Sequence, residues 1–326
     1  MRDLAHRLVT LDSTTPLIVI GDRGGPASYE LDGAAFYSLE DQLKLPLRIV
    51  EHLPTCHYAR KNLGYILAIK RRAACVYETD DDNAPMQTWK PRTLEVRARL
   101  IQPPSSRQAD LWVNVYRFFS DENVWPRGLP LRAIANEAIP LTTAEAADVV
   151  SAPIQQGLAN NCPDVDAIWR LTMDRPLSFR PDRSVALTSG QWCPFNSQTT
   201  WWWPAAYPLM YLPSYCSFRM TDIWRSFIAQ RCLWELGAGV VFHAPEVRQE
   251  RNFHDLMRDF ADEVPGYLGN EALCDRLASL ELESGPDAVA VNLVRCYDEL
   301  VGTDFFPSAE LALVRDWVAD VADARA

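Results

Sequence analysis

Apolar and polar positions along the first third of the chain predict strands and helices in turn. The run Leu17-Ile18-Val19-Ile20 is rich in β-branched residues and ends in Gly21-Asp22-Arg23-Gly24-Gly25-Pro26. A buried strand opening into a glycine-rich turn is a common start of an α/β sheet. Ser38 offers an N-cap hydroxyl ahead of Leu39-Glu40-Asp41-Gln42-Leu43, which predicts a short helix with acids in its first turn. Residues 47–50 read as a further strand. Across 58–71 the apolar residues Leu63, Ile66, Leu67 and Ile69 fall near helical spacing, with basic residues at both ends. A second buried strand, Ala74-Cys75-Val76-Tyr77, runs directly into Glu78-Thr79-Asp80-Asp81-Asp82-Asn83. This strand and helix alternation predicts an α/β fold with an open, mostly parallel sheet flanked by helices.

Residues 84–130 are richer in proline and polar residues and read as an insertion with short strands at 94–100 and 112–116. A short helix is predicted over 143–150. The segment 190–220 holds Trp192, Trp201, Trp202, Trp203, Tyr207, Tyr211 and Tyr215 among four prolines, and reads as a structured loop. Three consecutive tryptophans cannot share one buried face, so at least one of Trp201, Trp202 and Trp203 is expected at the surface or at an interface. Thr221 is expected to N-cap a helix through Ile223, Phe227, Ile228, Cys232 (or Leu233) and Leu236, ending at Gly237 and Gly239. Val240-Val241-Phe242 is another strand, and beyond about residue 270 the chain turns helical and acidic. The expected division is 1–270 as the catalytic domain and 271–326 as a C-terminal helical subdomain.

Composition narrows the class. At 326 residues, 48% hydrophobic and 23% charged, the chain has the make-up of a folded soluble protein. No apolar run reaches 18 residues, which predicts no membrane span, and the opening MRDLAHRLVTLDS carries no apolar signal core. The eight cysteines are scattered without a C-x-x-C spacing, as expected of reduced thiols in the cytoplasm. With 32 basic against 43 acidic residues the net charge is −11, which repels phosphate backbones and sets nucleic acid aside as a partner. P-loop, zincin and nucleophile-elbow motifs are absent, and Cys193 has no histidine near it in sequence. A homo-oligomer stays open.

The acidic run at the end of the second strand is the strongest chemical signal. Packed like charges cost free energy unless something positive is close, and Mg²⁺ or Mn²⁺ takes one or two carboxylates together with substrate phosphates. The carboxyl end of a strand is also where open α/β sheets bind ligands. A solvated acidic turn is the alternative. Tyr77-Glu78-Thr79-Asp80-Asp81-Asp82-Asn83-Ala84-Pro85 resembles the metal-binding aspartate motif of GT-A nucleotide-sugar enzymes. More narrowly, the chain resembles the STELLO family of glycosyltransferases, distantly related to the reversibly glycosylated polypeptides, the UDP-arabinopyranose mutases. The matching blocks are Tyr58-Ala59-Arg60-Lys61-Asn62-Leu63-Gly64-Tyr65, Val124-Trp125-Pro126-Arg127-Gly128-Leu129-Pro130-Leu131 and Pro153-Ile154-Gln155-Gln156-Gly157-Leu158-Ala159-Asn160-Asn161. Stronger still are Trp192-Cys193-Pro194-Phe195-Asn196-Ser197-Gln198 and the stretch from Tyr211-Leu212-Pro213-Ser214-Tyr215 through Asp222-Ile223-Trp224-Arg225 to Gln230-Arg231. The resemblance covers about 15–270.

The resemblance implies a GT-A-like fold and a metal-dependent glycosyltransferase with a nucleotide-sugar donor, a UDP-sugar, an unknown acceptor, and Mn²⁺ or Mg²⁺ as cofactor. Asp80 and Asp82 would hold the metal, with Asp81 supporting them or touching the ribose. Asp22 would recognise the uracil or ribose, the alternative being a turn aspartate. Arg60 and Lys61 would neutralise the diphosphate, unless they form a solvated helix face. Trp192 and Asn196 are counted with the donor-binding residues, since tryptophan suits stacking on sugar faces. Asp222 would take the acceptor proton or serve the helix dipole. Arg127 would contact phosphate or sugar, form a structural pair, or become self-glycosylated as the matching arginine of the mutases does. His254 is the expected late metal ligand, with His243 as the other candidate, and Gln249 could fall at the mutases' histidine position. A UDP-sugar pyranose/furanose mutase is the first alternative. The second is a non-catalytic sugar-nucleotide-binding scaffold acting through its tryptophans.

Overall fold

The computed structural model describes residues 15–102, 111–135, 142–250 and 255–326. The first apolar run is β1 (Leu17–Ile20), paired in parallel with β2 (Ala34–Tyr37) in a small sheet of its own. Ser38 caps α1 (Leu39–Leu43): its hydroxyl accepts from the Asp41 N–H while the Asp41 carboxylate accepts from the Ser38 N–H. That reciprocal box satisfies two donors the helix itself cannot. Residues 47–50 are not the expected strand. Arg48–His52 forms a 3-10 turn, because the carboxylate of Asp320, far along the chain, accepts from the Arg48 and Ile49 N–H groups, each at 3.1 Å.

After a 3-10 turn at Tyr58–Arg60 come α2 (Lys61–Lys70), β3 (Val76–Thr79), β4 (Asn83–Pro85), β5 (Glu95–Gln102), β6 (Leu111–Trp112) and α3 (Leu131–Ala135). The expected helix over 143–150 is instead two strands, β7 (Thr142–Thr143) and β8 (Asp148–Ser151), both laid antiparallel on β5. Val149 and Val150 suit a pleated surface better than a helix. Next are β9 (Ile154–Asn160), α4 (Ala167–Thr172), β10 (Ser184–Ala186), β11 (Gln191–Trp192), β12 (Thr199–Trp202), α5 (Thr221–Trp234) and β13 (Val241–Gln249). The chain closes with α6 (Leu256–Ser279), α7 (Val289–Gly302) and α8 (Ser308–Arg325).

Among the described residues, nine strands form one sheet in the order β3-β12-β9-β13-β10-β5-β7, with β4 on β13 and β8 on β5. This is the expected GT-A-like α/β architecture, a central sheet between helices with further helices at the C-terminus. β9 runs parallel to β13, and β10 to β5, while β12 runs against both β3 and β9. Directions are therefore more mixed than a plain run of βαβ units makes them. Pro245 sits in β13 where the register with β9 shifts on either side of it, the kind of irregularity that tolerates a missing N–H.

β12 lies in the segment expected to be loop, and it is buried on both faces. Successive side chains of a strand point to opposite faces, and here both are covered. Trp202 enters the main core, while Trp201 and Trp203 pack with Trp89 and Val247 on the other side. All three tryptophans are buried, against the expectation of an exposed one. Thr221 is the first residue of α5 and not its cap; Met220 holds the cap position without a side-chain bond. α6 runs through residue 270, and α7 and α8 contribute Leu293, Cys296, Val314 and Trp317 to the same core as Leu63 of α2 and Phe227 of α5. No helix among the described residues is long and apolar enough to cross a membrane.

Candidate active site

A cavity of about 880 Å³ opens at the C-terminal end of β3. Its walls are β1, the start of α2, the aspartate loop 80–82, the loop 163–165, Asn196 and Gln198 ahead of β12, and Arg219 and Asp222 at the start of α5. Thus Lys61, Asp80, Asp81, Asp82, Arg127, Asn196 and Asp222, separated widely in sequence, line one space.

Asp80 is gripped from α2. Lys61 Nζ donates to its Oδ1 at 2.5 Å and to the Thr79 carbonyl at 3.1 Å, and the Tyr58 hydroxyl donates to the same Oδ1. Burial nevertheless pushes the Asp80 carboxyl up to about 6, with Lys61 and Tyr58 pulling the other way. Asp81 is exposed at the rim. Both oxygens of Asp82 accept from the Gln249 amide at 3.0 and 3.1 Å, and the Asp82 carbonyl accepts from the Glu250 N–H, so the end of β13 closes over the loop.

Arg127, Asp164 and Asp222 form a buried ionic cluster at another wall. Arg127 meets Asp164 with a two-pronged bond, Nε and one terminal nitrogen each at 2.8 Å, and that terminal nitrogen also donates to both Asp222 oxygens at 3.0 Å. Its other terminal nitrogen donates to the Arg219 carbonyl. Burial alone would raise the Asp164 carboxyl; Arg127 and Arg219 outweigh it and hold it below the usual range. Asp222 further accepts from the Ser197 N–H at 3.2 Å. Gly128 makes the approach feasible: its φ is +91°, and a Cβ there would meet Ile223 Cγ2 of α5 at 2.5 Å, a conformation and a distance only glycine accepts.

The loop carrying Asp164 is held by Asp166, which caps α4 through the Trp169 N–H and also accepts from Trp125 Nε1, both at 2.8 Å. Burial pushes the Asp166 carboxyl from 3.8 to about 6. A carboxyl with a higher pKa folded than unfolded binds protons more tightly in the native state, so stability present near pH 4 is lost as pH rises to about 6. At about 1.36 kcal/mol per unit, the ceiling on that loss is about 3 kcal/mol. Urea unfolding at pH 4.5 and 7 is expected to show this decline in the wild-type chain relative to Asp166→Asn, which does not ionise. Parallel pH profiles for the two would refute the shift.

Several expected site residues lie elsewhere. Arg60 is buried with its guanidinium on Gln42 Oε1 at 2.5 and 2.8 Å and on the Leu53 carbonyl, and it does not line the cavity. Two acceptors inside the fold occupy the cation expected on a diphosphate. Trp192 is likewise a core residue, packed against Trp112, Phe227 and Trp234 rather than presented to a sugar. Asp22 stands outside the cavity lining; its carboxylate accepts from the Arg23 and His57 N–H groups, which ties the first turn to the 3-10 turn that precedes α2. His243 is buried between Ser184 Oγ at 2.7 Å and Gln155 Oε1 at 2.9 Å, away from the aspartates. His254 lies outside the described residues.

The cavity also holds groups that the sequence reading did not single out. Asp164 has no distinguishing string around it. Arg219 is aimed by Glu263 of α6, with two bonds at 2.7 and 2.9 Å, and no local signal links them. Tyr58 stands beside Arg60 and Lys61 in a block already noted, so its place beside a basic pair was the available clue.

The sequence model of a family described as STELLO glycosyltransferases matches residues 219–325, from Arg219 through α8. The chain is 32% identical over 249 residues to the Arabidopsis thaliana protein named probable glycosyltransferase STELLO2, which covers 72% of this chain and 32% of that protein. With STELLO1 of the same plant the identity is 31% over 245 residues, 70% of this chain and 31% of the relative. The chain thus spans less than a third of the length of these relatives. Matched by the family model across the helix that carries Asp222, and by the two relatives over 72% and 70% of its length, the chain belongs to the STELLO family.

Proposed function

We propose that this chain is a metal-dependent glycosyltransferase that takes a UDP-sugar in the cavity at the end of β3. One observation carries the reading: a buried strand brings Asp80 and Asp82 to the same space that Lys61, Arg127 and Asp222 line. The family supports the transferase class, both relatives being named as glycosyltransferases.

The residues present fit a hard divalent cation. Asp80 and Asp82 supply carboxylate oxygens, and the Gln249 amide holds Asp82 in place. Among the described residues no group of three or more His, Cys, Asp or Glu is set for a metal. Two carboxylates completed by diphosphate oxygens would suit Mg²⁺ or Mn²⁺ better than a closed all-protein zinc cage. The ion would neutralise charge on the leaving diphosphate. Lys61, already on Asp80, stands ready as a point charge for the same phosphates. Asp222 accepts the proton of the acceptor hydroxyl, while Arg127 orients it and Asp164 holds Arg127 in turn. Asn196 lines the cavity with its amide already engaged: its backbone N–H donates to Gln156 at 3.0 Å, and its side-chain oxygen accepts from the Gln156 amide and from the Gln198 N–H at 2.9 Å, so its part is to shape the wall. The mutase alternative gains nothing from the geometry, because every nitrogen of Arg127 already donates within the protein.

The test is thermal unfolding with UDP and a panel of UDP-sugars, each with Mn²⁺ and with EDTA. A ligand held at 100 times its Kd stabilises the fold by about 2.7 kcal/mol. That gain is expected with metal and is expected to vanish with EDTA and in Asp82→Ala. No gain with any nucleotide, or the same gain in Asp82→Ala, would sink the reading.

A further inference from the structure

Beyond the Arg92–Glu246 ion pair lies a second cavity, of about 470 Å³, with no assigned role. It is lined by Arg92, Arg97, Arg99 and Arg183 together with Ser184 and His243. Its acids are Asp182 and Glu246, so four guanidinium groups face two carboxylates in a chain whose net charge is −11. Concentrating basic groups against the overall charge calls for a reason, because like charges brought together repel unless an anion joins them.

The four arginines are not equally occupied. Arg92 is committed to Glu246, with Nε at 2.9 Å from Oε2 and a terminal nitrogen on the same oxygen. Glu246 is satisfied from its other side by Thr199 Oγ1 at 2.5 Å and Trp201 Nε1 at 2.9 Å. Arg183 pairs with the adjacent, exposed Asp182, a contact of little worth in water. Arg97 spends one nitrogen on the Ala147 carbonyl at 3.0 Å, and the Arg99 guanidinium makes no hydrogen bond or ion pair to a described residue. Arg97 and Arg99 are two apart on β5, so both side chains leave the same face of the strand. Buried His243, bonded to Ser184 and Gln155, forms a neutral polar wall; burial and the nearby Arg92 hold its pKa well below the ordinary value.

Arginine matches planar or tetrahedral oxyanions with two parallel bonds, and the volume exceeds what a bare anion needs while lying within the range of small-molecule sites. Thr88, Asp182 and Ser184 in the same wall offer partners for hydroxyls. We propose that this cavity is a binding site for an oxyanionic sugar, held by Arg97, Arg99 and Arg183 through its phosphate or carboxylate. Arg92 lines both cavities, so the two sites share one wall. The site stands on its own residues and does not depend on the transfer reaction proposed above.

Isothermal titration with glucose 6-phosphate, galacturonate, inorganic phosphate and glucose tests the assignment. The two charged sugars report whether phosphate or carboxylate is preferred; at least one is expected to bind without added metal and more tightly than phosphate alone. Arg97 and Arg99 are exposed, so Arg97→Ala and Arg99→Ala leave the fold intact and are each expected to weaken that binding about tenfold or more, the scale of a lost charged hydrogen bond. Asp82→Ala is expected to leave it unchanged. Binding equal in glucose, in phosphate alone or in the Arg97→Ala/Arg99→Ala double variant would overturn the proposal. So would no binding of either charged sugar, or a requirement for Asp82.

Discussion

Replacing Arg225 by methionine is expected to lower the unfolding free energy by about 3–5 kcal/mol, the scale on which one partner of a buried ion pair is missed. Arg225 and Glu78 are both buried and joined by two bonds of 2.7 and 3.1 Å. Arg225 also donates to Ser197 Oγ at 2.8 Å, and its guanidinium lies over the Trp202 ring. Burial by itself would raise the Glu78 carboxyl, and Arg225 more than offsets it. Methionine fills the volume of the arginine stem but leaves the carboxylate with only the Tyr65 hydroxyl and Trp202 Nε1. Adding Glu78→Gln removes the stranded charge, so the double variant is expected to recover much of the loss. Denaturant midpoints at an unchanged m-value give the measurement; a loss below about 1 kcal/mol in the single variant would show that the pair contributes no more than a surface one.

That ion pair also has a geometric consequence. Glu78 is two residues before Asp80 on β3, and Arg225 is three after Asp222 on α5. Their bond therefore pins the strand that carries the aspartate loop to the helix that carries the proposed base. In Arg225→Met, nucleotide binding and turnover are expected to weaken together.

Asp222→Asn is expected to slow sugar transfer about 10²–10⁴-fold, the usual contribution of a positioned general base. Asparagine keeps the shape and can still accept from Arg127 or the Ser197 N–H, so metal-dependent nucleotide binding and the Tm are expected to change little. Asp82→Ala differs in kind, because it loses binding and turnover together. The two variants separate a residue acting on the acceptor from one acting on the donor. Steady-state kinetics on whichever donor raises the melting temperature makes the comparison. Turnover of Asp222→Asn within about tenfold of wild type would remove Asp222 from the chemistry.

The expected elements that held are those whose signal is local. Helical spacing from Leu63 to Ile69 gives α2, and the apolar strand before three aspartates gives β3 and its loop. β12 escaped because a strand covered on both faces shows no alternation, and its Trp201-Trp202 reads equally well as loop. The turn at Arg48–His52 escaped because its cap is Asp320, on the last helix. Asp164 and Arg219 are ordinary in their surroundings and become site residues only where the loop before α4 meets the start of α5.

Arg60 and Arg127 mark the boundary most clearly. Each stands in a string that resembles the family, and nothing next to either one distinguishes them. Arg60 ends on Gln42 inside the fold, whereas Arg127 reaches Asp164 and Asp222, 37 and 95 residues further along. The order of apolar and polar residues is enough for an α/β fold and for carboxylates at a strand end, because helix and strand periods are set by near neighbours. A cation's role depends on which acid the folded chain carries to it. That partner is chosen by packing between distant segments, so it was legible only once β3, the 163–165 loop and α5 had been brought together around one cavity.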